Sequence, residues 1–596
     1  SDILCEFIEK PERAQKEYAY SVFKTLIEKN TKQITICMPK LVPFFSSDVN
    51  DVSTNVKRNC SECLELVLTC SGNADLDVFK GEILFIVGES GSGKSVMTSA
   101  ILNDIPTSLK VTSGSIVFKN QDILKLSQKE LNKLRGANIS MIYQEPMAAL
   151  NPSKRVGKQV DEVFALHRPE IKSEHRKSET LKLLNQMKLP NPERIYSSYA
   201  HQVSGGQCQR IVIAMALACN PDILIADEPT TALDVTTQAE ILRLISDLKE
   251  VYKNTIIFIT HDFGVVADIA DRVVVMCQGR IIEKGSKKDI LMKPKEPYTQ
   301  LLVDAMPLLE TTRTPDKDRT DLPSVEVSSL HKIYKTRSNQ VHAVNDASFV
   351  LRKGETLGVV GESGSGKSTL AKTLIRLEEP TSGAVKIREE DFLSLSGRDL
   401  ISSRKKIQMI FQDPFGSLNP SQTVGFMLTR GLELQGVGPI EAKERAYELL
   451  KQVGLGEQSF NRKPQNFSGG QRQRIGIARA LSMGPDVILA DECVSALDLS
   501  VQKQVLLLLN KLQSTYNMAI IFITHDLRVA AQVSDYIAVM EKGNIVEFGT
   551  AEDVFNKPKD EYTKKLLDAA PGKDWHPPRL EPEEAERIAK SLEVSN

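Results

Sequence analysis

The sequence predicts an α/β protein: two tandem copies of one domain, preceded by a small all-α segment. Three observations carry this. First, the octet GESGSGKS stands at 88–95 and again at 361–368, 273 residues on. The tetrads SGGQ (204–207 and 468–471) and ITHD (259–262 and 523–526) each recur 264 residues on. Words repeated in one order at a nearly fixed offset mark a duplicated domain. Second, apolar runs of strand length lead into a Gly-rich turn (ILFIV, ETLGVV) or end in paired acids (ILIADE, VILADE). Third, residues 1–75 show helical apolar spacing with polar breaks, enough for three short amphipathic helices.

The domain boundaries follow. The helical segment covers 1–75 and the first copy 76–309. The polar stretch 310–322, ETTRTPDKDRTD at its heart, reads as a linker. The second copy covers 323–571. A Pro-rich bend and charged helix form a tail, 572–596, expected to be peripheral. The copies differ at their start. VEVSSLHKIYKT and VHAVNDASFVLRKGE precede the second Gly-rich turn, but the matching stretch upstream of the first falls inside the helical segment. The likeness resumes near DVFKGE at 77–82, so the first copy is expected to lack its opening strands.

Composition excludes several classes. A chain of 596 residues is too long for one core. Its 76 basic and 77 acidic residues leave a net charge of −1 and no basic stripe, so no nucleic-acid partner is expected. No apolar run reaches the roughly 20 residues of a membrane span. The longest candidate, Ile211 to Ala226, is broken by Asn220-Pro221-Asp222. The first residues carry acids and no basic n-region, unlike a secretory signal. Direct membrane insertion is therefore not expected. Nine scattered cysteines read as reduced thiols, and Cys60, Cys63 and Cys70 have only weak metal-like spacing.

The repeated words have specific chemistry. In the first octet Gly88, Gly91 and Gly93 let the backbone wrap an anion, with Glu89, Ser90 and Ser92 completing the loop. Lys94 offers a point charge for β- and γ-phosphates, Ser95 a hydroxyl for Mg²⁺. Gly361, Glu362, Ser363, Gly364, Ser365, Gly366, Lys367, Ser368 and Thr369 repeat the arrangement. A helix beginning at the lysine adds its positive dipole end. Asp227 and Asp491 end apolar strands where they can hold Mg²⁺. Glu228 and Glu492 come next, suited to polarise an attacking water. His261 and His525 each follow that glutamate by 33 residues. Ser204, Gly205, Gly206 and Gln207, like Ser468, Gly469, Gly470 and Gln471, open a helix whose N–H groups form a second anion site.

These motifs, with MIYQEP and MIFQDP placing Gln144 and Gln412, resemble the ABC superfamily over roughly 76–570. The resemblance implies two P-loop (RecA-like) ATPase domains, each with a helical subdomain, near 146–203 and 414–467. Gln144 and Gln412 would be the Q-loop glutamines, near Mg²⁺ and the attacking water; VSGGQ and FSGGQ the signatures; TALD (231–234) and SALD (495–498) the D-loops; His261 and His525 the switch histidines. In that family each signature closes over ATP held by the other domain. One composite site would then join Lys94, Asp227 and Glu228 to Ser468–Gln471, the other Lys367, Asp491 and Glu492 to Ser204–Gln207. Tyr334 would stack on adenine in the second copy.

QEPMAALNP (144–152), QDPFGSLNP (412–420), PKEPYTQLLVDAMP (294–307) and PKDEYTKKLLDAAP (558–571) resemble the ATPases of oligopeptide, dipeptide and glutathione importers. That resemblance implies ATP and Mg²⁺ as cofactors and membrane permease subunits as partners. A peptide-binding protein would act indirectly, and the chain would sit on the cytoplasmic face of the inner membrane. Cys493 stands where proline usually follows the glutamate, and Cys208 stands opposite Arg472. Residues 1–75 resemble the HEAT-type repeats of translation elongation factor 3. A soluble translation-associated ATPase is the alternative reading.

Overall fold

The computed structural model describes residues 76–106, 108–231, 233–315, 321–335 and 340–595. The helical expectation for residues 1–75, with its HEAT likeness and the Cys60, Cys63 and Cys70 spacing, lies outside the described residues. Two compact units emerge. One runs to Thr231, with Ile241–Asp304 and the tail from Pro577; the other holds residues 233–240 and Ala305–His576.

The first unit contains β1 (Ile83–Val87), β2 (Val117–Phe118), β3 (Gln121–Asp122), β4 (Ile139–Ile142), β5 (Ile223–Asp227), β6 (Thr255–Thr260), β7 (Arg272–Cys277) and β8 (Arg280–Ser286). Its main sheet has the order β4-β5-β6-β1-β7-β8. Five strands are parallel and β8 returns antiparallel to β7. Every residue of β1 and β6 is buried, which is why both read as unbroken apolar runs. Phe85 and Phe258 stack between them with centroids 4.6 Å apart.

The second unit repeats this sheet and adds another. It contains β9 (Pro323–Lys335), β10 (Gln340–Arg352), β11 (Thr356–Val360), β12 (Ser382–Ile387), β13 (Glu390–Asp391), β14 (Ile407–Ile410), β15 (Val487–Asp491), β16 (Ala519–Ile523), β17 (Tyr536–Glu541) and β18 (Asn544–Thr550). The main sheet runs β14-β15-β16-β11-β17-β18, and an antiparallel sheet runs β10-β9-β12-β13. Among the described residues, the first unit has only the small β2–β3 pair outside its main sheet.

In each unit the Gly-rich loop follows β1 or β11, the histidine follows the adjacent strand β6 or β16, and the paired acids follow the strand beyond it, β5 or β15. Parallel strands send these three loops to one edge, where open α/β sheets place their ligands. Between the fourth and fifth strands of the first unit comes a helical stretch, from Pro146–Ala149 through Val156–His167, Ser173–Gln186 and Pro192–Ser197. It ends at Ser204, which caps the helix Gly205–Leu217. The second unit matches it with Val424–Glu433 and Pro439–Gln452, ending at Ser468 before Gly469–Leu481.

Two segments are tied down more firmly than their composition suggests. In the linker, Arg313 donates to Thr356 Oγ1 (3.0 Å), Asp535 Oδ2 (3.3 Å) and Asn510 Oδ1 (2.9 Å) of the second unit. Thr312 donates to the carbonyl of Gln532 at 2.7 Å. The tail is not peripheral: Arg579 donates to the carbonyl of Asp304 at 2.5 Å, and the N–H of Leu580 to its Oδ1 at 3.1 Å. A guanidinium and a free main-chain donor find a buried acceptor there that periodicity cannot reveal. Among the described residues no helix is long and apolar enough to cross a membrane.

Packing in the helical stretch leaves no room at two equivalent glycines. A Cβ on Gly157 would lie 2.0 Å from the Tyr196 ring, and one on Gly425 2.4 Å from the Phe460 ring. Tyr196 cannot swing away freely, because its hydroxyl donates to Asp161 at 2.6 Å. Overpacking of this kind costs about 1–3 kcal/mol. Gly157→Ala and Gly425→Ala should each lower the thermal unfolding midpoint, Gly157→Ala by more. Unchanged midpoints in calorimetry would show that the rings yield without cost.

Candidate active site

The Gly-rich loops are nearly superposable in their bonding. Gly88 and Gly361 leave no space for a side chain: a Cβ on either would lie 2.2 Å from the carbonyl oxygen of Met276 or Met540. The loops end at Gly93 and Gly366, with φ of 96° and 108°, which cap the helices Lys94–Ile101 and Lys367–Leu374. Ser90, Gly91, Ser363 and Gly364 form the exposed crests, while Ser92 and Ser365 are buried beneath.

The lysines turn inward. Lys94 is 7% exposed and Lys367 6%. Lys94 Nζ donates to the carbonyls of Gly88 (2.9 Å) and Glu89 (2.8 Å) and to Ser92 Oγ (3.4 Å). Lys367 Nζ donates to those of Gly361 and Glu362, both at 2.8 Å. Burial lowers the Lys367 pKa, against the pull of Glu492 and Asp491.

Beside each lysine stands a hydroxyl–carboxylate pair. Ser95 Oγ donates to Asp227 Oδ1, and Ser368 Oγ to Asp491 Oδ1, each at 3.3 Å. Burial and the neighbouring glutamate raise the pKa of both aspartates; in Asp227 burial leads, then the Ser95 bond opposes it. Two acids held close in a half-dry site favour a bound cation. Among the described residues no cluster of three or more His, Cys, Asp or Glu side chains could hold a metal. A hydroxyl with one carboxylate does fit Mg²⁺, which binds few protein ligands when phosphates and waters complete its shell.

The glutamates are the most constrained residues of the site. Glu228 and Glu492 both adopt φ of 44°, a left-handed backbone costing about 1–3 kcal/mol for a non-glycine. Their N–H groups are fixed on the next strand's end, to the carbonyls of Ile259 (3.0 Å) and Ile523 (2.9 Å). Gln144 Nε2 donates to Glu228 Oε2 at 2.9 Å, and Gln412 Nε2 to Glu492 Oε2 at 2.7 Å. The glutamines thus reach the glutamates rather than the Ser–Asp pairs where a metal role would put them. His261 Nδ1 lies 3.1 Å from Glu228 Oε1, and His525 Nδ1 3.5 Å from Glu492 Oε1. For Glu228, burial pushes the carboxyl up, but bonds from His261 and Thr231 and nearby positive charge prevail and hold it low. The His525 bond is the largest influence on Glu492 and also lowers it. Burial disfavours charge on His525, yet Glu492 wins and raises its pKa. Each glutamate is therefore ionised near neutrality and able to polarise a water.

The signatures form capping boxes. Ser204 Oγ accepts from Gln207 N (3.3 Å) while Ser204 N donates to Gln207 Oε1 (3.1 Å); Ser468 and Gln471 repeat both distances. Arg472, in the next position, donates to the carbonyl of Pro464 at 2.7 Å and stacks 3.7 Å from the Phe415 ring centroid. In the first copy the same two places hold Cys208 and Met147, with sulfurs 3.2 Å apart. Cys493 is buried and its thiol is pushed up to about 12, so it is chemically inert. Tyr334 lies on β9 with its hydroxyl on Glu378, and Thr369 also hydrogen-bonds that phenol. Adenine stacking there is compatible with its half-open position, since Tyr334 is 38% exposed.

Sequence reasoning missed two members of the site. Tyr298 Oη accepts from the N–H of Glu89 at 3.3 Å, and Tyr562 Oη from that of Glu362 at 3.0 Å. Their signal was visible in PYTQLL and EYTKKLL, which read as family features with no link to the Gly-rich loop.

A family model described as ABC transporter matches residues 72–231 and 344–495. The chain belongs to the ABC transporter family. A second model, the C-terminal region of oligopeptide/dipeptide transporters, matches 282–341 and 546–591. The glutathione import ATP-binding protein GsiA of Salmonella paratyphi A is 44% identical over 85% of this chain and 88% of its own. Those of Pectobacterium atrosepticum and Escherichia coli O157:H7 are 43% identical, over 84% of this chain and 86% of theirs. A solved ATP-binding cassette dimer bound to ADP and Pi is 32% identical, covering 38% of this chain and 98% of its own, with a TM-score of 0.36. As an ABC ATPase, the chain binds and hydrolyses ATP. The elongation factor 3 reading finds no support in these matches, nor does a HEAT-like segment.

Two outcomes test the site. Replacing both Glu228 and Glu492 by Gln should cut ATP turnover at least about 100-fold; full turnover in that double variant would remove them from the chemistry. The second concerns pH. A raised His525 pKa means that its ion pair with Glu492 is complete below the unfolded histidine value of 6.5 and is lost as pH rises through the folded value. His525→Ala should therefore destabilise the protein most at mildly acidic pH, with the penalty shrinking as pH rises. A penalty that grows with pH would reverse the assignment.

Proposed function

We propose that this chain is the ATP-hydrolysing subunit that powers import of short peptides through a membrane permease. One observation carries the reading: both copies close with a segment matching the C-terminal region of oligopeptide/dipeptide transporters. The GsiA relatives, matched over most of both chains, support the same substrate class. On this reading the helical stretches dock on cytoplasmic loops of the permease, and a peptide-binding protein delivers cargo from the far side. The chain works on the cytoplasmic face of the membrane without entering it.

Mg²⁺ accompanies ATP, held by Ser95 with Asp227 and by Ser368 with Asp491. Lys94 and Lys367 take the β- and γ-phosphates, and Glu228 and Glu492 polarise the attacking water. Gln144, Gln412, His261 and His525 orient that glutamate and sense the γ-phosphate. Each signature, Ser204–Gln207 or Ser468–Gln471, completes the site of the other copy, giving two composite ATP sites. Both copies keep all of these residues, so both sites are expected to turn over.

The test is complementation in Escherichia coli lacking its own GsiA. Restored uptake of labelled glutathione or a dipeptide, with co-purification of the permease subunits, is the expected outcome. A chain that hydrolyses ATP, is well expressed and yet binds no permease and restores no uptake would sink the import reading.

A further inference from the structure

The hydroxyl of Tyr298 and the lysine of the first P-loop meet at one peptide unit. The N–H of Glu89 donates to Tyr298 Oη at 3.3 Å, while the carbonyl of Gly88 accepts from Lys94 Nζ at 2.9 Å. That N–H and that carbonyl belong to the same planar group and cannot rotate independently. The second unit repeats the arrangement. Glu362 N donates to Tyr562 Oη at 3.0 Å and the Gly361 carbonyl accepts from Lys367 Nζ at 2.8 Å. In each copy the tyrosine comes from the closing helix, about 200 residues further along the chain.

The closing helices are held differently. Tyr298 lies in the first turn of Pro297–Asp304, and Asp304 is its last residue. Asp304 is 5% exposed. The tail grips it twice, through Arg579 on its carbonyl at 2.5 Å and Leu580 N–H on its carboxylate at 3.1 Å. The equivalent Asp568 pairs through its side chain with Lys573, at 2.8 Å.

We propose that Tyr298 and Tyr562 are positioning residues that set the P-loop peptide, and hence the lysine, for nucleotide. In the first copy the C-terminal tail latches the helix that carries the tyrosine. The first site is then wired to the end of the chain. This inference rests on ATP binding at the P-loop and is independent of the peptide-import reading.

The test uses the full chain carrying Lys367→Ala, so that titration with a trinitrophenyl-ATP probe reads the first P-loop. Tyr298→Phe should weaken affinity about two- to tenfold, since it removes the acceptor of the Glu89 N–H together with the hydroxyl's long donation to Glu89 Oε2 at 3.4 Å. The unfolding midpoint without nucleotide should not follow, which separates positioning from support of the fold. In the chain with Lys367 restored, Tyr298→Phe should raise KM for ATP far more than it changes kcat. Ending the chain after His576 should weaken binding in the same direction, with no further loss when Tyr298→Phe is added. Should the shortened chain fold poorly, Arg579→Met replaces it, and Arg579→Lys should recover part of the affinity. Probe affinity unchanged by Tyr298→Phe overturns the positioning role. Losses that simply add between the tyrosine and tail variants overturn the latch.

Discussion

Everything in the site depends on holding a lysine ammonium inside the protein. Lys94 and Lys367 are nine-tenths buried, and an ionised amine in such a place is costly unless each proton finds an acceptor. Carbonyls of the loop's own first two residues provide them. The loop must therefore curl until its carbonyls face inward, which demands glycine at Gly88 and Gly361, where any side chain would strike the backbone of the adjacent strand, β7 or β17. The same field reaches the acids. The histidine bonds lower Glu228 and Glu492 against burial, with the buried lysine adding to them, and the aspartates beside them, raised in pKa, are left suited to a divalent ion.

The duplication shows which parts that constraint governs. Lysine, serine, aspartate, glutamate, glutamine and histidine sit in both copies with distances that agree within about half an ångström. Around them the copies diverge freely. Asp526 accepts from the Arg528 guanidinium through two hydrogen bonds near 3.0 Å, while Asp262 accepts from the backbone N–H of Gly264 at 2.8 Å, where the second copy has arginine and the first glycine. Thr231 donates to the Glu228 carboxylate at 3.0 Å, but Ser495 turns to the main-chain oxygen of Glu492 at 2.9 Å. The Arg472–Phe415 stack becomes a Cys208–Met147 sulfur contact. These exchanges keep the volume filled and replace a polarised contact with a softer one.

The parts of the fold legible in the sequence are those encoded locally. β1, β5, β11 and β15 announce themselves as apolar runs because both faces are buried. The P-loops and signatures are contiguous words whose bonding closes within a few residues, so reading the word reads the geometry. Gln144 was placed near the metal by resemblance, and its partner turns out to be Glu228, 84 residues away. Polar composition makes 310–322 read as a linker and the charged tail as peripheral. Polarity does not distinguish an arginine in water from Arg313 bonded to Asp535, or Arg579 bonded to Asp304.

Tyr298 marks the limit of such reading most clearly. Its word, PYTQLL, has a helical apolar spacing in which the tyrosine looks like ordinary half-buried packing. Only the parallel sheet brings that helix back beside the P-loop, 209 residues from Glu89. The hydrogen bond is then a consequence of topology: β7 pairs with β1 and β8 returns along β7, so the helices that follow them come back to the loop at the end of β1. A domain of this kind delivers its closing segment to its nucleotide by construction. Extensions added after β8 or β18 therefore lie close to the phosphate-binding backbone from the start, and a single hydroxyl suffices to join them to it.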